Sequence, residues 1–205
     1  VIRMRGPIPH RRALFDIGVA GPLAGFCVAL PVLAIGVMRS ELVAAEPLPP
    51  GAQSLVFGDS LLTRGLSLLL RPETSSGFEL VADPVFVAGW VGMLATVMNL
   101  LPAGQFDGGH IVFAVLPRQH RAISVLVAAG LWGLVLYYAL VPGEFSAWTV
   151  WAVVVTLFGR KHPPVPDDGL PLGRKRTWML AAAVLILVIG FLPHPVAIVT
   201  GPPAA

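Results

Sequence analysis

The residues best suited to chemistry stand together in one stretch, NLLPAGQFDGGH, residues 99–110, at the end of an unbroken apolar run. An acid placed at membrane depth costs a few kcal/mol or more unless it is paired or bound to a cation, so Asp107 is the first candidate for a cation or metal ligand. The bland reading is a solvated turn, because Asp-Gly-Gly is a common turn signal. Pro102 removes a backbone donor and disfavours helical geometry at Leu101, which predicts a helix break there. Gly108 and Gly109 permit turns closed to other residues. His110 stands three residues beyond Asp107, where the two could face one another across a turn, and reads either as a second ligand or as an orienting or surface histidine. Asp16, in the first turn of another apolar run, reads as a helix N-terminal charge. His10 and His120, among arginines, read as solvated.

The elements that position these residues are hydrophobic. Of 205 residues, 56% are hydrophobic and 12% charged, with a mean hydropathy of +0.80, which marks a membrane protein rather than a soluble domain. Cys27 is the single cysteine, so an internal disulfide and a thiolate-built zinc site are both excluded. A metal would need His and carboxylate ligands. No basic surface with readable helical or aromatic elements suggests nucleic acid.

Apolar runs able to cross a bilayer lie near Ala13–Val37, Val85–Leu101, Ala122–Val141 and Thr177–Leu192, with a shorter one at Phe145–Phe158. The expected fold is an all-α polytopic bundle of about five spans. If the runs alternate, Arg3, Arg5, Arg11, Arg12, Arg118, Arg121, Arg160, Lys161, Arg174, Lys175 and Arg176 share one side, and Glu41, Glu46, Asp59, Glu73, Glu79, Asp83 and Glu144 share the other. The positive-inside rule then makes the basic side cytoplasmic, as in a cell-membrane protein. Between the first two runs, Ser60, Arg64, Ser67 and Arg71 recur at helical spacing among leucines, as in an interfacial amphipathic helix. Gly18, Gly21 and Gly25 form one tight-packing face. Ala88, Gly92, Ala95 and Asn99 form another, predicted to face protein. Trp148, Trp151 and Trp178 suit interfacial anchoring.

The segments RRALFDIGVAGPLAGF and AGWVGMLATVMNLLPAGQFDGGH together resemble the site-2 protease family of zinc intramembrane metalloproteases, especially its archaeal and plastid-type members. The second segment matches the family's N-x-x-P-x-x-x-x-D-G motif at Asn99, Pro102, Asp107 and Gly108. The resemblance covers residues 1–120, a partial protease core, and leaves 121–205 as C-terminal transmembrane helices. It implies that Asp107 is a zinc ligand, that Asn99, Pro102 and Gly108 shape the site or hold substrate, and that substrates are transmembrane or membrane-anchored proteins. The family's H-E-x-x-H helix, source of two imidazoles and a glutamate base, has no counterpart here. His10, His110, His120, His162 and His194 include no pair four residues apart. No catalytic residue is therefore expected in this chain, that helix is expected upstream, and the chain alone is expected to be inactive. The alternatives are an ion-coupled transporter or channel with a broken helix at Asp107 and a non-catalytic homologue.

Overall fold

The computed structural model describes residues 8–44, 46–140, 147–158, 165–166 and 171–201. Arg3, Arg5, Glu144, Arg160, Lys161, His162, Val141 and the start of the run at Phe145 lie outside the described residues. The first helix, α1 (Arg11–Arg39), has 29 residues and is about 44 Å long. His10 caps it, its Nδ1 accepting from the Ala13 N–H at 3.0 Å, so this histidine satisfies an orphan donor instead of serving only water. At the other end the Arg71 guanidinium donates to the Met38 and Ser40 carbonyls. A cation there also suits the negative end of the helix dipole.

Helix α2 (Leu61–Leu70) occupies the predicted amphipathic segment, started by a reciprocal Ser60–Thr63 capping box. Leu62, Leu66 and Leu70 pack inward, while Leu61 and Leu69 remain exposed. A short 3₁₀ turn, Pro72–Ser76, follows. Helix α3 (Pro84–Asn99) begins with proline at its first position and with Asp83 accepting from the Val85 N–H at 2.8 Å, a start that local chemistry favours. It runs antiparallel to α1, with Gly36 against Phe86, Gly89 against Leu33 and Gly25 against Thr96. Helix α4 (Asp107–Val115) continues the same descent: Asp107 lies beside Gly21, Ile111 beside Gly18, and Ala114 and Val115 beside Arg11 and Arg12.

Thus α3 and α4 are two halves of one discontinuous path along α1. Their 16 and 9 residues give about 24 and 14 Å, neither enough for a hydrocarbon core of about 30 Å. The run at Val85–Leu101 is therefore the upper part of a crossing rather than a complete one. The remaining helices are α5 (His120–Ala139), α6 (Trp148–Phe158) and α7 (Arg174–Gly190). Helices occupy all the predicted runs, but among the described residues only α1 and α5 are long and apolar enough to cross a membrane singly.

The chain is mostly helical, yet not purely so. Strands β1 (Glu41–Ala44) and β3 (Phe78–Val81) pair antiparallel, as do β2 (Gln53–Phe57) and β4 (Val196–Thr200). These ribbons satisfy backbone groups of connections beyond the helix ends. The β2–β4 pair also ties the long connection after α1 to the segment after α7. At that end Tyr138 and Trp148 both donate to the Pro193 carbonyl, at 3.0 and 2.7 Å. Trp148 is fully buried, so it is a packing residue and not an interfacial anchor. At the opposite end, Arg176 of α7 makes a bidentate pair with Asp16 of α1, at 2.8 and 2.6 Å.

One face differs from expectation. Ala88, Ala95 and Asn99 are exposed, whereas Phe86, Gly89, Trp90, Met93, Thr96, Val97 and Met98 are buried. Packing large side chains removes more apolar area from contact with the surroundings than packing alanines. Small residues alone did not choose the face.

Candidate metal centre

The path breaks where Pro102 predicts, with α3 ending at Asn99 and Leu100 as its cap. Residues 100–106 form a compact turn: Ala103 N–H donates to the Leu101 carbonyl at 2.7 Å, and Phe106 N–H donates to that of Ala103 at 3.2 Å. Leu100, Leu101, Ala103 and Gly104 are buried. Irregular backbone at membrane depth survives only where protein or water satisfies it, and here α5 does so. Ser124 Oγ accepts from the Gly104 N–H at 3.2 Å, and His120 Nε2 lies 3.2 Å from the Gly104 carbonyl. A carbonyl only accepts, so His120 must carry its proton on Nε2. Gly104 has φ +51°, a left-handed conformation that glycine adopts without steric cost.

The paired glycines now have a packing explanation. A Cβ on Gly108 would strike the Leu100 carbonyl, and one on Gly109 would strike that of Gly104. The first turn of α4 is thereby pressed onto the break. Gly108 lies in close approach to the Leu100 and Leu101 carbonyls, while Pro102 sits half-buried within the turn.

Asp107 opens α4, where the helix dipole favours negative charge. Its Oδ2 faces Gly21, on which a Cβ would lie 3.2 Å away. Gly21 lies about ten residues, or about 15 Å, along α1 from Arg11. The acid is therefore far from the basic end of α1, contrary to a turn at that surface. It is half-buried, and among the described residues it has no hydrogen-bond or ion-pair partner. On the α1 stretch it faces, Ala20, Gly21 and Ala24 are exposed, as is Asn99 at the end of α3. His110 points its Cβ at Gly18, against α1. Among the described residues no three His, Cys, Asp or Glu side chains gather as a metal site.

His120 was not legible as part of this region. It is buried, as is Ser124, and Phe113 of α4 meets its ring edge-on at 5.5 Å. The available signal was a His and a Ser four residues apart on one face of a helix whose other residues, Arg121 apart, are largely apolar.

The chain thus carries a helix broken at a proline and an acid that opens the second half, and the model of peptidase family M50 matches residues 1–140. The chain belongs to this family. Over 199 residues it is 29% identical to "Probable zinc metalloprotease EGY2, chloroplastic" of Oryza sativa subsp. indica, covering 95% of this chain and 34% of that protein. Over 208 residues it is 30% identical to "Probable zinc metalloprotease EGY3, chloroplastic" of the same rice, covering 90% and 33%. Over 200 residues it is 27% identical to the EGY2 protein of Arabidopsis thaliana, covering 96% and 34%. The chain thus spans about a third of the length of these relatives. No solved structure matches it.

Proposed function

We propose that this chain supplies the carboxylate ligand of a zinc centre in an intramembrane metalloprotease of the site-2 type. The observation that carries the reading is Asp107: a half-buried carboxylate at a helix break, without a partner among the described residues and beside an exposed stretch of α1. An unpaired acid at that depth is costly unless a cation or another chain compensates it. Membership of family M50 and the names of the plant relatives support zinc as that cation. Zinc in such a site polarises a carbonyl and lowers the pKa of water.

In this reading Asp107 holds the metal, Gly108 lets α4 seat against the break, and Asn99 and Pro102 shape the site or engage substrate. Residues 1–120 form the core contribution, and the helices from 121 onward brace it. The two remaining ligands and the general base belong in the family pattern to an H-E-x-x-H helix, a motif these 205 residues do not contain. The exposed faces of α1 and α3 at the level of Asp107 leave room for that helix. Substrates are transmembrane or membrane-anchored proteins, and the chain is a multi-pass protein of the cell membrane with its basic loops cytoplasmic. A full-length protein carrying Asp107→Asn tests the assignment through its metal content. Zinc should fall far below one equivalent while membrane insertion stays normal, because an amide is easier to bury than a carboxylate. Full zinc occupancy in that variant would reduce Asp107 to a helix N-terminal charge with no part in holding metal.

A further inference from the structure

We infer that His120 and Ser124 are positioning residues for the metal centre, acting on Asp107 through the Gly104 backbone. The inference rests on the reading of Asp107 as a zinc ligand. Both side chains come from one face of α5, both are buried (3% and 2% exposed), and both engage a single residue of the break. Ser124 takes the Gly104 N–H and His120 takes its carbonyl, so the backbone of Gly104 is fixed on both sides at a conformation, φ +51°, that defines the turn. Ser124 Oγ donates in turn to the His120 carbonyl at 2.9 Å, which orients the hydroxyl as an acceptor toward Gly104.

The connection from there to the acid is by contact. The Ala103 and Gly104 carbonyls press on Gly109, and the Leu100 and Leu101 carbonyls press on Gly108, the two residues that follow Asp107. A turn that rotates at Gly104 therefore displaces the first turn of α4 and the carboxylate it carries. Buried polar groups with this geometry are costly to leave half-satisfied, so α5 specifies one arrangement of the break. Groups that orient a metal ligand typically change metal affinity by about 10–100-fold when removed.

The test uses the full-length protein, purified in detergent, with zinc alone titrated against a chromogenic chelator and with cobalt(II) substituted to report ligand geometry through its visible absorption bands. Ser124→Ala and His120→Leu should each weaken zinc by about tenfold or more and shift the cobalt bands. Ser124→Thr, which keeps the hydroxyl, and His120→Gln, whose amide reaches as far as Nε2, should restore both signals. Thermal unfolding recorded in parallel separates positioning from general loss of structure, since rescue of the metal signals at equal thermal midpoint has no purely structural explanation. If His120→Leu fails to accumulate, the Ser124 pair decides alone. Parental zinc affinity and unchanged cobalt bands in Ser124→Ala, with zinc lost in Asp107→Asn, would overturn this inference and leave the ligand assignment standing. Parental zinc in Asp107→Asn itself would remove the ligand assignment and this inference with it.

Discussion

Two carboxylates, Asp16 within α1 and Asp107 packed against it, have opposite surroundings. Asp16 projects from α1 to the guanidinium of Arg176, with both oxygens engaged and 45% of its side chain exposed. Asp107 faces the same helix at Gly21, more deeply placed, with no partner among the described residues. A charge that the fold already neutralises is a structural fastening. One that the fold positions and leaves unpaired is available to a ligand. Both acids are followed by glycine within two residues, yet they do different things.

The sharpest way to break the comparison is to neutralise each acid in the full-length protein and measure cleavage of a membrane substrate. Asp107→Asn should lower the rate by several orders of magnitude, through loss of the metal's Lewis acidity. Asp16→Asn should leave cleavage largely intact. Exchanged outcomes would mean that the paired acid is the functional one.

A smaller effect should follow from moving α4 without touching its carboxylate. A Cβ on Gly18 would lie 2.9 Å from the Asp107 carbonyl and 3.0 Å from the His110 Cβ. Gly18→Val should therefore push α4 off α1, at the cost of about 1–3 kcal/mol typical of overpacking, and should lower zinc content in step. A variant with parental stability and parental zinc would show that the α1–α4 contact does not set the ligand's place.

Smaller still is the fastening itself. Because Asp16 and Arg176 are both partly exposed, removing the pair with Asp16→Asn or Arg176→Gln should cost no more than about 1 kcal/mol, read as a modest fall in thermal midpoint in detergent. A loss of several kcal/mol would show that the pair behaves as a buried one.

The smallest effect concerns Asp83 at the far end of α1. Its carboxyl is held below the usual carboxylate range, first by the Val85 N–H and then by Arg39, against an opposing effect of desolvation. A carboxyl with a lowered folded pKa contributes stability above its unfolded pKa and loses that contribution as the pH falls through the folded value. Asp83→Asn should flatten this acid limb of the stability profile, leaving neutral-pH cleavage unchanged. A profile identical to the parent's would show that another group sets the acid limb.

Much of the framework was legible because it depends on local properties. Hydropathy located the helices, since apolar length is a property of consecutive residues. Pro102 located the break, since its missing donor and its clash with Leu101 act on neighbouring backbone. Gly18, Gly21 and Gly25 marked a close-packing face, and α3 and α4 occupy it. Their spacing did not say which parts of the chain would arrive there. On α3 the small-residue face Ala88–Asn99 and the buried face through Gly89, Met93 and Thr96 both have helical periodicity. The larger side chains decided between them.

The sequence by itself determined a membrane protein of apolar helices, a helix break at Pro102 and an acid just beyond it, whereas the helix that Asp107 opens came from the structure. The former follow from hydropathy and backbone sterics acting over a few residues. Only the tertiary structure decided that α3 and α4 form one interrupted path, that Asp16 is matched by Arg176, that His120 and Ser124 hold Gly104, and that β2 pairs with β4. Each of these joins residues far apart in the chain. The physical reason is that pairing energies depend on which surfaces meet, and a sequence lists possible donors, acceptors and apolar faces without fixing their partners.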